Sequence, residues 1–235
     1  MPSRLVVIPT YNEASSAPIL IERLFKNIAD IAILIIDDNS PDQTRARCEE
    51  LKTFYPSLFF ISRANKMGLA SAYISGFKWG IQHGYEKIIQ MDGDLSHRVR
   101  DLQEMLALDG DLILGSRWIK GGRTENWPIG RRLLSRSANL YARFFLALGV
   151  RDLTSGFRIY KREILETIDL SAIQSEGYLF QIEMTRAVKR AGGKIIEAPI
   201  TFRDRINGKS KLSKSIISEA ARTIPWWGVK RLFRR

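Results

Sequence analysis

Two aspartates stand one residue apart in "KIIQMDGDLSHR", residues 87–98, where an apolar run gives way to polar sequence. In extended backbone, residues i and i+2 point to the same side, so Asp92 and Asp94 leave a strand end in one direction. Two like charges so placed repel unless something positive lies between them. A structural lysine or arginine would serve, and so would a metal ion carrying a substrate. Hard carboxylate oxygens suit Mg²⁺ or Mn²⁺, which usually keep water and substrate phosphates as further ligands. Taken alone, D-x-D is equally the pattern of loop acids, N-caps or salt-bridge partners. Its weight depends on what the rest of the chain puts beside it.

The elements that would position this pair follow from periodicity. Strand-like runs occupy 4–10, 32–37, 58–62, 87–92, 111–116 and 194–202, with helix-like stretches near 16–29, 42–55, 69–83 and 99–107. That alternation predicts β-α-β units: a Rossmann-like α/β domain, its central sheet mostly parallel and covered by helices on both faces. Ligands of such sheets bind beyond the carboxyl ends of the strands. Those ends read "IPTYNE", "IIDDNSPDQT", "MDGDLSH" and "GSR", so polar and acidic groups converge there. No G-x-G-x-x-G or P-loop follows the first strand, which excludes the usual dinucleotide and P-loop sites. Pro9 and Tyr11 offer a rigid apolar and aromatic surface for a base, while Glu13 and Asp38 would accept hydrogen bonds from base or ribose. With the aspartates on a cation, these pieces describe a nucleotide-diphosphate site. Each has a plainer use: Asp37, Asn39 and Asp42 suit turn capping, Tyr11 suits a core, and His97 suits a loop.

Composition bounds the rest. A chain of 235 residues, 45% hydrophobic, can bury one large core. Its single cysteine excludes an internal disulfide, two histidines are too few for a zinc cluster, and a reducing compartment fits. No N-terminal signal segment is expected, and "FFLALGV" at 144–150 is far short of the roughly 20 residues that span a bilayer. The net charge of +12 is clustered: residues 117–143 contribute +6 and residues 203–235 contribute +8, leaving −2 elsewhere. Such clustering implies a polyanionic partner. In 132–148, Arg132, Arg136 and Arg143 share one helical face, apart from Leu133, Leu140, Phe144 and Leu148. In 212–224, Leu212, Ile216, Ala220 and Ile224 recur every fourth residue before "PWWGVKRLFRR". Basic helices with Trp and Phe fit an anionic membrane surface, though the same apolar faces would also pack on a domain. A nucleic-acid-binding module is the alternative of another class. It fails to explain why acids crowd the predicted cleft, so no nucleic acid partner is expected.

In order, "PTYNE", "DDNSPDQT", "NKMGLASAYISGF", "MDGDLSH", "GSRWIKGG", "NWPIGRRLLSRSAN", "DLTSGFRIYKREIL", "GYLFQIEM" and "PITFRDRINGKSKL" resemble the motifs of dolichol-phosphate (polyprenol-phosphate) mannose synthases. These are family 2 glycosyltransferases with a GT-A fold. The resemblance implies a GT-A catalytic domain over 1–211 and a basic amphipathic membrane-interface segment over 212–235. It also implies a reaction in which GDP-mannose and polyprenyl (dolichyl) phosphate give polyprenyl-phosphate-mannose and GDP with inversion. UDP-glucose is the nearest rival donor. Three positions depart from the pattern: Gly93 for alanine, Gln43 for glycine after "SPD", and "HRV" for a proline-containing segment.

Carried over residue by residue, the resemblance places Pro9, Tyr11, Glu13, Ile36 and Asp38 at the nucleoside. Asp92, Gly93 and Asp94 would lie at nucleotide, ribose and metal, with Asp94 the direct ligand to Mg²⁺ or Mn²⁺ and Ser96 a helper. Arg205 and Lys211 would reach the donor diphosphate. Arg117, Arg131 and Ser135 would bind the acceptor phosphate, whose oxygens suit the guanidinium fork. Gln181 and Glu183 join the site from "GYLFQIEM". Asp92, Asp94, Arg117 and Arg131 would be catalytic. The expected location is the cytoplasmic face of a membrane, attached peripherally, with a small transmembrane partner subunit as an option.

Overall fold

The run Ile31–Asp37 is buried at every position, which requires cover on both faces of the sheet it enters. The computed structural model describes residues 2–204 and 214–232, with side chains in the last helix over 219–230. Its first half alternates β1 (Arg4–Thr10), α1 (Ala17–Asn27), β2 (Ile31–Asp37), α2 (Thr44–Glu50), β3 (Leu58–Ser62), α3 (Leu69–Gln82), β4 (Lys87–Gln90), α4 (Val99–Leu106) and β5 (Leu112–Ser116). There follow β6 (Arg123–Glu125), α5 (Ile129–Leu146), β7 (Arg158–Lys161), α6 (Arg162–Glu166), α7 (Gly177–Arg190), β8 (Ile195–Pro199), β9 (Thr201–Arg203) and α8 (Lys214–Leu232). Seven strands form one sheet in the order β3-β2-β1-β4-β7-β5-β8. All pairs are parallel except those of β7, which runs antiparallel between β4 and β5.

Strand alternation sorts the core into two layers. Val6, Ile8, Ile33 and Ile35 face one side with Leu20, Leu24, Leu102 and Met105 of α1 and α4. Leu5, Val7, Leu34 and Ile36 face the other with Tyr73, Phe77, Phe180 and Met184 of α3 and α7. A third cluster joins α5, α7 and α8 through Ala142, Leu146, Leu179, Ile182, Ile224 and Trp227. The inner face of α8 is thus docked on the domain.

Helix α3 lies close on the sheet because Gly76 has no side chain: a Cβ there would come within 2.3 Å of Val7 Cγ1. Gly76→Ala is therefore expected to destabilise the protein by about 1–3 kcal/mol through overpacking, despite alanine's better helix propensity. Urea unfolding measures this, and a wild-type midpoint would contradict the close approach.

Three expectations differ in detail. The strand predicted over 87–92 ends at Gln90, because the Asp92 N–H is spent on His97 Nδ1 (3.4 Å) rather than on a neighbouring strand. The run 194–202 splits at Ile200, whose N–H bonds Ser116 O at 3.0 Å, and β9 pairs with β6 in a separate two-stranded parallel sheet. The helical stretch 42–55 is α2 followed by a single 3₁₀ turn, Leu51–Thr53.

Candidate active site

At the carboxyl edge of β1, β2, β4 and β5 lies a cleft of ≈ 300 Å³. It gathers Pro9, Tyr11, Glu13, Asp38, Asp92, Gly93, Asp94, Arg117, Arg131 and Gln181 from separate parts of the chain. Ser135 lies outside it, on an adjoining cavity. Three further predicted side chains do not line the cleft. Ile36 is fully buried on the α3 side of the sheet, where strand alternation puts it. Ser96 is also fully buried, and Glu183 accepts a hydrogen bond from Ser175 N at 3.1 Å. Arg205 and Lys211 lie outside the described residues.

The loop after β4 is held from several sides. Leu95 takes a left-handed conformation (φ 63°), which turns Ser96 N back onto Asp94 Oδ1 at 3.0 Å. Such a backbone is strained for a leucine. The Tyr73 hydroxyl donates to Asp92 Oδ1 at 2.8 Å. Burial, and next the Asp92 charge, raise the Tyr73 pKa well above its usual value, so it stays a donor. Behind the loop His97 stacks on Phe157, ring centroids 4.6 Å apart. Burial lowers its pKa against the pull of Asp92 and Asp94, so at neutral pH the ring is uncharged and Nδ1 can accept the Asp92 N–H. Sequence reasoning passed over Tyr73 and read His97 as a loop residue; an apolar helix face and a loop position carry no local sign of a part in the site.

The pair can serve a hard cation that brings its own phosphates. Among the described residues no Lys or Arg forms a salt bridge with Asp92, and no group of three or more His, Cys, Asp or Glu makes a protein cage for a metal. Two carboxylates with substrate oxygens to complete the shell fit Mg²⁺ or Mn²⁺. The floor is polar: a Cβ at Gly156 would lie 3.7 Å from each of Asp92 Oδ2, Gln181 Nε2 and Gln90 Nε2. The Gln90 amide and Gln181 Oε1 find no partner among the described residues. Such amides are able to bind hydroxyls.

The nucleoside side is tied down by turn chemistry. Asp37 accepts from Thr10 Oγ1 (2.8 Å) and Ser40 N (2.9 Å), and Asp42 from Ala14 N (3.1 Å), the structural uses expected of them. Asp38 is paired with Arg63 and accepts Met67 N at 3.2 Å. Tyr11 is no core aromatic: its ring lines the cleft, with Lys66 Nζ 4.0 Å from the centroid.

On the opposite wall, Trp127 packs against both arginines, with the guanidinium carbons of Arg117 and Arg131 at 5.3 and 4.1 Å from its ring centre. Arg131 Nη1 donates to Asp204 Oδ1 at 2.6 Å. Arg117 is buried, donating Nε and Nη2 to Asp152 at 2.7 Å each and Nη2 to Thr154 Oγ1 at 2.8 Å. Burial works against its charge, but the Asp152 carboxylate more than offsets that and raises the pKa. Asn139 of α5 completes the network, donating to Thr154 Oγ1 at 3.1 Å and accepting Leu153 N at 2.7 Å.

Behind this wall is a second, mostly apolar cavity of ≈ 370 Å³ between α5, α7 and α8. Leu134, Ala138, Tyr141, Leu179, Ile182 and Ile224 line it. It shares Arg117, Trp127, Arg131, Thr154 and Tyr178 with the cleft, so the two cavities meet at the arginines.

Fold and cleft together are of the GT-A glycosyltransferase class. The chain belongs to glycosyl transferase family 2, whose family model matches residues 5–169. It is 44% identical over 230 residues to polyprenol monophosphomannose synthase of Mycolicibacterium smegmatis, covering 96% of this chain and 87% of that one. It is 41% identical over 227 residues to undecaprenyl-phosphate mannosyltransferase of Micrococcus luteus, covering 96% and 93%. Among solved structures, glucosyl-3-phosphoglycerate synthase of Mycobacterium tuberculosis, in complex with Mn²⁺ and UDP-glucose, superposes with TM-score 0.64 at 15% identity over 98% of this chain and 79% of that one. A Pyrobaculum calidifontis mannosyltransferase, in complex with GDP-Man and Mn²⁺, superposes with TM-score 0.59 at 14% identity over 100% and 65%.

Proposed function

We propose that the chain transfers mannose from GDP-mannose to a polyprenyl (dolichyl) phosphate, with inversion at the anomeric carbon and release of GDP. The observation that carries this reading is the meeting of an acidic cleft and an apolar cavity at a shared pair of arginines. A soluble acceptor has no use for an apolar chamber behind its phosphate site, whereas a prenyl chain does. The names of the two relatives at 44% and 41% identity support the same acceptor class.

The residues suit the chemistry. A phosphate monoester is largely ionised at neutral pH, so the acceptor needs no general base. The site's work is positioning and charge neutralisation. In this reading Asp92 and Asp94 hold a divalent cation, Mg²⁺ or Mn²⁺, which when bound supplies positive charge to the leaving diphosphate. Gln181 faces the sugar hydroxyls, and Arg117, Arg131 and Ser135 hold the acceptor phosphate at the mouth of the apolar cavity.

Among the described residues no helix is long and apolar enough to cross a membrane. Helix α5 instead leaves Leu133, Leu140 and Phe144 exposed at 59%, 66% and 79%, with Arg132, Arg136 and Arg143 also at the surface. We take this side, with the segment 212–235 continuing from the catalytic domain 1–211, as the one laid on the cytoplasmic face of a membrane. It is also where a small transmembrane partner subunit would dock.

The test is sugar transfer from labelled GDP-mannose or UDP-glucose to a short polyprenyl phosphate, with Mg²⁺, Mn²⁺ or EDTA. Metal-dependent product from GDP-mannose is expected. Product from UDP-glucose alone would change the donor, and failure to transfer either sugar would overturn the reading.

A further inference from the structure

We propose that Trp127 is a positioning residue for the acceptor phosphate: its ring fixes Arg131 beside Arg117, so that both guanidiniums are in place before the phosphate arrives. The inference rests on the acceptor reading given above and adds to it what holds the two arginines ready.

The arginines are not equally secured. Arg117 is buried and locked, with its Nε and Nη2 donors spent on Asp152 and Thr154. The Arg131 side chain is 21% exposed and, among the described residues, donates one hydrogen bond, from Nη1 to Asp204 Oδ1. Its other anchor is Trp127, whose ring centre lies 4.1 Å from the Arg131 guanidinium carbon and 5.3 Å from that of Arg117. Both distances fall within the roughly 6 Å over which a ring face attracts a cation. Two like charges gathered at one wall repel, and a shared ring offsets part of that cost. It does so without adding an anion that the phosphate would have to displace. A guanidinium held in advance also loses less freedom when its ligand binds.

Local structure delivers this ring to the junction of the two cavities, both of which it lines. Asn126 takes a left-handed conformation (φ 62°) and Pro128 stands at the N-cap of α5; between them Trp127 is turned inward, 7% exposed. Phe202 of β9 braces it edge to face, with centroids 5.3 Å apart at 73°. The plainer account is a wall residue that fills space. Indole is a costly choice for that alone, because its Nε1–H is buried with no partner among the described residues, a penalty that leucine or phenylalanine avoids. What indole adds is the strongest ring face for a cation.

The experiment measures binding of farnesyl phosphate and of farnesol, its alcohol, to the full chain by calorimetry. Wild type is set beside Trp127→Leu, Trp127→Phe and Trp127→tetrafluorotryptophan, the last of which keeps the indole shape and drains charge from its face. The readout is the ratio of the two affinities, which cancels any change in the apolar cavity. The preference for the phosphate is expected to fall about 10-fold in Trp127→Leu, the scale of one partly desolvated cation–π contact, and by less in the other two. Equal weakening of both ligands would make Trp127 a wall of the cavity and overturn the proposal. So would a wild-type ratio in the fluorinated chain, which differs in ring charge alone and decides the matter even if Trp127→Leu does not fold. Wild type that binds the two ligands alike would overturn the acceptor reading of the arginines itself, and this inference with it.

Discussion

Asp94→Ala is expected to lower sugar transfer about 10³-fold, the upper end of what removing one charge-stabilising group costs. The carboxylate lines the cleft from a loop that is itself fixed, with Oδ1 accepting Ser96 N at 3.0 Å. Alanine removes both the charge and this loop contact, so a second variant is needed to separate them. Asp94→Asn keeps an oxygen that can accept the Ser96 N–H and loses only the charge. If the charge is what matters, both variants fall together under saturating donor and acceptor, and their thermal midpoints stay within a few degrees of wild type. An asparagine variant with near-normal turnover would mean that Asp94 shapes the loop and does not act on the donor.

How much of this was legible in the sequence depends on the range of the interaction. The strand ends announced themselves locally: apolar runs stop at acids, and the i, i+2 rule puts Asp92 and Asp94 on one side whatever else the fold does. The same rule argues against a cleft-facing side chain at Ile36, where two neighbouring acids draw the eye, because alternation along β2 sends it into the core. What lies beside Asp92 was not legible. Its partner is the hydroxyl of Tyr73, nineteen residues away in an otherwise apolar helix face. Strand β7 was missed for a similar reason. Its four residues, "RIYK", are too short to show periodicity, and nothing local fixes its antiparallel direction between β4 and β5. The motif "DLTSGFR" gave no single side chain a defined role from sequence. Folding shows more specific duties: Asp152 and Thr154 grip Arg117, and buried Arg158 fastens the segment by donating to Leu153 O and Ser155 O at 3.0 and 2.8 Å.

The grip on Arg117 leads to the second large effect, since Asp152→Asn is expected to destabilise the protein by about 3–5 kcal/mol. Asp152 is fully buried and accepts the Arg117 backbone N–H at 2.9 Å as well as Nε and Nη2. Asparagine keeps one acceptor oxygen but loses the charge, leaving a guanidinium buried without its counter-ion. The loss should appear in the urea midpoint. A functional signature should accompany it if Asp152 positions Arg117 for the acceptor: the KM for polyprenyl phosphate rises while that for the donor is kept. A variant that is merely less stable would move neither constant below its unfolding range. The double variant Arg117→Met/Asp152→Leu sharpens the distinction. With no charge left unpaired it should recover much of the stability, because apolar replacements of a buried pair are often neutral or better. It should not recover transfer. Recovery of both would show that the pair only holds the fold together, and that the acceptor phosphate is bound by Arg131 without it.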